Sequence, residues 1–493
     1  MDIRRKGSRL RRIRPSSAKW WGNRSHIIYT ITVFVVLASL DNAAIALYPA
    51  LTKVMAADLE VGESRLGLVT ALVILVSAVT AVAWGYYGDR SRRKPLMFWA
   101  TILWSLGLLM VARSRSLAEL AWWSAVVGVG LGAIASVGFS IISDFISPKR
   151  RGLAMSFWGL SQGTGGFFGI LVGGVLGAGN WRAPFVGLAL ISIGVAFVYL
   201  TTLDAPRARS EPELAAALAA GGSYEFRIER SDLARLWLTR TNRWLILQGL
   251  TAQFAYGSLI WVPLLYQSKV QALGYDLSTA TAVGAVFGAI FQIGGVTSIL
   301  TGHLGDRFQR RTARARAIIS MVGILGAIPF FVAFFFIPLT GLDIPTGEGS
   351  MAIVVATLAS VVTNPYAATA FCLSVIALAF TSADSANWFA LISDVNLPEH
   401  RGTAFGLGNL SNGISRTLGN GLTVVAAGLL TARFAAPWNY AIGLTAFQVF
   451  FIPTGLCYWM ASKTCPGDIE RVRKLLARRG REAFAAIDKP DGQ

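Results

Sequence analysis

Gly85-Tyr86-Tyr87-Gly88-Asp89-Arg90-Ser91-Arg92-Arg93-Lys94 and Gly302-His303-Leu304-Gly305-Asp306-Arg307-Phe308-Gln309-Arg310-Arg311 carry one pattern at an offset of 217 residues: two glycines, an Asp-Arg pair and a basic end. Each follows a long apolar stretch. A second pair repeats in the same order. Ile142-Ser143-Asp144 is followed by Pro148 and Arg151-Gly152, and Ile392-Ser393-Asp394 by Pro398 and Arg401-Gly402, at an offset of 250. Two independent motifs in equivalent places make the halves of the chain copies of each other. The 33 residues by which the offsets differ must lie between the motifs of the second copy, which matches an insertion near 340–366.

Outward from these motifs the chain is apolar. Of its 493 residues 54% are hydrophobic and 14% charged, against about a quarter charged in a soluble protein. A bilayer span needs about 20 mostly apolar residues, and such stretches follow one another from His26 to Ala461. They predict six helices near 27–49, 66–88, 96–112, 120–146, 152–178 and 183–203, and six more near 243–267, 277–304, 317–340, 368–395, 402–430 and 438–461. The expected fold is an all-α membrane protein with twelve transmembrane helices. Its organisation is a basic arm (1–25), a six-helix bundle (26–203), a linker (204–240), a second bundle (241–462) and a basic tail (463–493). Within the insertion, Met351 to Val362 is too short to span and is expected to pack on the outer surface or lie at the interface.

Charge sets the expected orientation, because Lys and Arg near helix ends stay on the cytoplasmic side. With the amino terminus inside, the inner segments hold 37 of the 45 Lys and Arg. Both termini are therefore predicted to be cytoplasmic, in a bacterial-type inner membrane. The formal charge of +19 and the arm from Arg4 to Arg14 read as topology signals and as attraction to anionic headgroups, about 1 kcal/mol per basic residue, rather than as a nucleic-acid surface. Trp20 and Trp21 suit an interfacial anchor, and no cleavable signal peptide is expected. Three cysteines and three scattered histidines give neither a disulfide framework nor metal-ligand spacing. There is no Walker loop, nucleophile elbow or dinucleotide fingerprint in context. No cofactor, metal or enzymatic activity is expected, and any driving force must be a gradient.

A chain of six plus six spans in which Gly-x-x-x-Asp-Arg-x-x-Arg-Arg/Lys follows the second span resembles the major facilitator superfamily over Ser25 to Lys463. The resemblance implies two pseudo-symmetric bundles, a central cavity and alternating access by rocking of one bundle against the other. Physically, Gly85 and Gly88 allow helices to approach closely, while Asp89 can pair with Arg93 and cap a neighbouring helix N-terminus. The expected cytoplasmic gate is Gly85, Gly88, Asp89, Arg90, Arg93, Asp144 and Arg151, with Gly302, Gly305, Asp306, Arg307, Arg310, Asp394 and Arg401 from the second copy. Arg92 and Lys94 read as topology signals.

Ionisable groups inside the membrane are costly and mark function. Asp41 lies mid-way along the first span, Asp384 along the tenth and Arg416 in the eleventh, where Asn409, Asn412, Arg416 and Asn420 fall on one helix face. Gln253 and Tyr256 of the seventh span, with Gln248 and Trp261, add polar and aromatic surface. Static ion pairs or polar clamps between helices are the structural alternatives for each. The segments Leu40-Asp41-Asn42 to Ala57-Asp58-Leu59 and Gly128-Val129-Gly130 to Ser143-Asp144 are similar to the Spinster-like branch, with Asn42 where that branch carries Arg and Leu131 near its fourth-helix acidic position. That resemblance implies lysophospholipid-like or sphingosine-phosphate-like substrates. Gly165-x-x-x-Gly169-Ile170-x-x-Gly173-Gly174 resembles the glycine signature of proton-coupled drug antiporters, with Ile170 in place of a proline. The expectation is a monomeric, proton-coupled exporter of an amphipathic or lipid-like small molecule or drug, with Asp41 as the leading protonation site. The alternatives are an importer or exchanger of an organic anion bound by Arg416, or a non-transporting receptor or membrane enzyme.

Overall fold

The computed structural model describes residues 24–61, 63–145, 156, 161, 163–169, 180–203, 211–214, 226, 228–345 and 350–487. Every regular element among them is helical. In the first half, α1 runs Arg24–Asp58, α2 Glu63–Arg90 and α3 Arg93–Val111. Helix α4 runs Leu117–Ala133, passes through a π-helical turn at Ile134–Gly138 and continues as Phe139–Phe145, and α5 covers Arg182–Tyr199. Residues 163–169, in the expected fifth span, are helical, while most of that span lies outside the described residues.

In the second half α6 runs Arg240–Ser258 and, after the 3-10 turn Leu259–Trp261, Val262–Ala272; α7 runs Leu277–Phe291 and, after Gln292–Thr297, Ser298–Gln309. Then come α8 (Ala315–Phe336), α9 (Ser350–Thr363), α10 (Pro365–Val395), α11 (Arg401–Leu430) and α12 (Trp438–Gln448, then Phe451–Ile487). Nine stretches of the described residues are helical, long and apolar enough to cross a membrane. Helix α12 runs on through most of the expected tail, where the sequence turns from apolar to basic within one continuous helix.

Lipid is the solvent that explains the surface. Val79, Leu190, Phe197, Val322, Leu422 and Leu456 are exposed, which water would penalise and acyl chains do not. Helix ends are defined by local chemistry. Ser116 accepts a hydrogen bond from Glu119 N (3.3 Å) at the start of α4, and Asn364 accepts from Tyr366 N and Ala367 N (2.9 and 3.0 Å) before Pro365 at the first position of α10. The amide of Asn364 also donates to the carbonyls of Thr340 and Gly341, which fastens both ends of the insertion. Helix α9 is the expected short apolar segment. It packs on α7 and α10, burying Ile353, Thr357 and Ser360 while Val355, Leu358 and Val362 stay exposed, an apolar face outward and a mixed face inward whose two hydroxyls donate to carbonyls of their own helix.

The face that carries the two repeated motifs, called the loop face below, is where the halves meet. Helix α2 lies along α11 there. A Cβ on Gly85 would come within 2.4 Å of Gly402 O, one on Gly406 within 2.6 Å of Ala81 O, and one on Gly413 within 2.3 Å of Ala78 Cβ. Phe139, just past the π turn, stacks on Phe405 of α11 at 3.9 Å and 9°. Gly85→Ala is therefore expected to push α2 off α11, costing about 1–3 kcal/mol by overpacking. A lowered thermal unfolding temperature in detergent would show it, and an unaltered one would mean the two backbones are not in contact.

Candidate functional site

At the loop face the repeated motifs form two charge clusters. Asp89 sits at the N-terminus of α11, where its Oδ2 accepts hydrogen bonds from Thr403 N (2.7 Å) and Thr403 Oγ1 (2.9 Å) and its Oδ1 from Gly402 N (3.3 Å). A carboxylate there satisfies otherwise orphaned amides and meets the positive end of the helix dipole, so a residue of the first half caps a helix of the second. Gly88, one residue away, packs on Val137 of the π turn.

Arg93, the first residue of α3, donates to Asp144 Oδ2 at 2.6 Å and to Ser140 Oγ at 3.1 Å. Its buried ion pair is with Asp144 of α4. Arg401 crosses from the other half: Nη1 stands 3.5 Å from Asp144 Oδ1, Nε donates to Ser393 O at 3.1 Å, and Nη2 donates to Glu211 Oε1 at 2.5 Å.

The second cluster is held by a residue that the sequence reading did not single out. Arg316, the second residue of α8, donates to Asp306 Oδ1 at 2.7 Å and also to Asp394 Oδ2, and its side chain is 1% exposed. It does for Asp394 what Arg93 does for Asp144. The motif alignment puts Arg310 opposite Arg93, but Arg310 and Arg307 are exposed, because the loop after α7 is longer and the cation that reaches the carboxylates is the one that opens α8. Gly302 and Gly305 are buried, and a Cβ on Gly305 would meet Asn387 Oδ1 of α10 at 1.9 Å. Arg90 is exposed and donates to Tyr86 Oη at 2.5 Å. Arg151 lies outside the described residues.

Deeper in the chain, the predicted polar residues separate into three places. Asp384 on α10 is a hydrogen-bond hub: it accepts from Gln248 Nε2 (3.3 Å to each oxygen), from Tyr256 Oη (3.1 Å) and from Tyr458 Oη. Three helices of the second half thus converge on one buried carboxylate. Tyr458 is a further residue missed from the sequence, since a tyrosine at helical spacing looks like packing.

Asp41 is different. It shares the buried face of α1 with Phe34, Leu37, Ala44 and Tyr48, spaced 3, 4, 3 and 4 along the helix, and makes no hydrogen bond or ion pair with another described residue. No described contact joins it to Asp384 or Arg416.

The third place is the stripe on α11. Asn409, Asn412, Arg416 and Asn420 lie opposite the exposed Ile414, Leu418, Leu422 and Leu429, so the stripe faces the interior and the apolar residues face lipid. The Arg416 side chain is exposed and has no hydrogen-bond or ion-pair partner among the described residues. Around it the Oδ1 atoms of Asn412 and Asn420 and the Oγ of Ser415 are buried without a hydrogen bond. Gln253 of α6 is partly exposed and likewise makes no hydrogen bond among the described residues. Unsatisfied buried polar atoms beside an interior-facing cation are what a polar ligand would complete. No cluster of metal-ligating side chains is present among the described residues.

Paired helical halves joined at one face by repeated Asp-Arg motifs, with ionisable residues in the spans, define a membrane transporter of the rocking-bundle class. The model of the Major Facilitator Superfamily matches residues 31–420, and the chain belongs to that family. Its homologues are transporters, not enzymes. It is 26% identical over 297 residues to the sphingosine-1-phosphate transporter SPNS2 of Danio rerio, a match covering 56% of each chain. It is 27% identical over 320 residues to protein spinster homolog 3 of Danio rerio, covering 61% of this chain and 62% of that one. The chain spans somewhat over half the length of these curated relatives. Among solved structures, a bacterial homolog of the human lysosomal transporter Spinster in an inward-facing, unoccupied conformation superposes with a TM-score of 0.58 at 20% identity, covering 91% of this chain and 99% of that one. The proton:xylose symporter XylE gives 0.61 at 16% identity, covering 89% and 96%. These two share the fold.

Proposed function

We propose that this protein is a proton-coupled exporter of amphipathic, lipid-like molecules that carry an anionic headgroup. The observation that supports it most is Arg416: an exposed cation on the interior face of α11, flanked by the asparagine stripe. A phosphate or carboxylate headgroup could take up the guanidinium and the Ser415 hydroxyl, while the unsatisfied Oδ1 atoms of Asn412 and Asn420 could accept from a hydroxyl or ammonium of the same molecule. Sphingosine-1-phosphate, the substrate named for the relative SPNS2 of Danio rerio, has that chemistry. By the charge asymmetry of the loops the loop face is cytoplasmic, and both termini with it. Asp89, Asp144, Asp306 and Asp394, with Arg93, Arg316 and Arg401, then act as the cytoplasmic gate, closed here and broken when the site opens inward. Asp41 is the protonation site, since a buried carboxylate with no partner among the described residues is costly when charged and far less so when neutral.

The test is flux in proteoliposomes of known orientation, with a fluorescent single-chain amphiphile bearing phosphate and a neutral-headgroup analogue. An imposed pH difference should drive the anionic amphiphile outward, and Arg416→Met should cut that flux at least about tenfold, the loss of one charge-assisted contact. Equal flux of the two amphiphiles, unaffected by Arg416→Met, would refute the headgroup assignment. Uptake in place of export would favour the organic-anion importer.

A further inference from the structure

The buried cation Arg401 has two carboxylate neighbours, and they belong to different parts of the chain. Asp144 is on α4 in the first half, at 3.5 Å and without a hydrogen bond, whereas Glu211 is in the segment between the halves and accepts a charge-assisted hydrogen bond at 2.5 Å. Asp144 already has its own tight partner in Arg93, at 2.6 Å. The weak link of the chain Arg93, Asp144, Arg401, Glu211 is therefore the one that crosses between the halves.

The segment that carries Glu211 is attached to the second half. Leu214 packs on Leu476 of α12, with Leu397 and Val472 beside them, and Glu211 itself is buried at 5% exposure. Nearby, Phe226 of the same linker lies under Arg479 of α12, whose Nη1 also donates to Glu399 at 2.8 Å. When the halves part, Glu211 is placed to travel with Arg401 while Asp144 keeps Arg93.

We infer that Glu211 is the resident counter-ion of Arg401, a positioning residue that lets the gate part along Asp144 and Arg401 without stranding a buried charge on either side. This rests on the gate reading above. It makes a prediction opposite in sign to a linker that merely straps the loop face shut. Removing Glu211 leaves Arg401 with the nearby charge of Asp144 in the closed form, at 3.5 Å, and with neither of these carboxylates in the open form, so the closed form should gain.

The experiment is a spin-label distance measurement on the full chain in nanodiscs, with labels at Arg92 and Thr312, which are exposed at the loop face on opposite halves, after replacement of Cys372, Cys457 and Cys465. Asp144→Asn, which removes the ion pair between Asp144 and Arg401 across the halves, is expected to lengthen the distances. Distances unaltered by Asp144→Asn would sink the gate reading itself. Glu211→Gln is expected to shift the ratio of short to long distances about tenfold toward short, and Glu211→Asp to restore most of the wild-type ratio. A shift toward long distances, or none, overturns the assignment of Glu211 whatever Asp144→Asn does. Should Glu211→Gln fail to fold, Leu214→Ala, which loosens the segment's anchor and leaves every charge in place, should move the ratio the same way, and the opposite movement counts against the proposal equally.

Discussion

Arg316→Met is expected to destabilise the protein by about 3–5 kcal/mol, because it leaves Asp306 and Asp394 buried without the cation between them. That is a large part of the 5–15 kcal/mol or so that holds a typical fold together, so the variant should unfold at a much lower temperature in detergent or fail to reach the membrane. Arg316→Lys should recover only part of the loss, since one ammonium cannot fork between two carboxylates as a guanidinium does. Neutralising the stranded acids should help: Asp306→Asn with Asp394→Asn in the Arg316→Met background is expected to return much of the stability. Arg310→Met, at the motif position but exposed, should stay within about 0.5 kcal/mol. If Arg310→Met and Arg316→Met unfold alike, the assignment of Arg316 to the buried cluster is wrong.

The contrast between Arg310 and Arg316 shows what the sequence could and could not carry. Apolar length and charge distribution made the helices legible, with ends within a few residues for α2, α3, α10 and α11. The repeat made the carboxylates legible, because Asp89, Asp144, Asp306 and Asp394 occupy fixed places relative to helix ends. It did not make their partners legible. An arginine side chain reaches several ångströms from a loop of variable length, so the one that arrives is decided by packing: Arg93 within the motif in one half, Arg316 beyond it in the other.

Contacts between distant segments carry even less sequence signal. Glu211 reads as one acidic residue in a linker, and only folding brings it 2.5 Å from Arg401. Tyr458 is one of twelve tyrosines, and nothing at position 458 marks it as a donor to Asp384. Asp384 itself was legible as an ionisable residue in a span, but its three donors make it a well-satisfied clamp within the second half, whereas Asp41 has no such partners among the described residues. That difference, invisible in sequence, ranks the two for the coupling role.

Asp41→Asn is accordingly expected to abolish gradient-driven accumulation while sparing binding and downhill exchange. Asp41 lies mid-way along α1, packed among Phe34, Leu37, Ala44 and Tyr48 with no described polar partner. Charged, it is disfavoured wherever the bundle closes over it; neutral, it buries at far lower cost. A proton taken from one side and released to the other would then tie the direction of alternation to the pH difference, each unit of which supplies about 1.4 kcal/mol per proton, enough for about tenfold accumulation at one-to-one coupling. Asparagine keeps the shape of the protonated acid and removes the titration. In proteoliposomes with an imposed pH difference, the accumulation ratio of the variant should fall to unity, while counterflow of labelled amphiphile at equal pH persists. Asp384→Asn should instead weaken binding or stability together with transport, because it disturbs Gln248, Tyr256 and Tyr458. Should Asp41→Asn still accumulate substrate against its gradient, the proton is carried elsewhere and Asp384, for all its donors, becomes the residue to test.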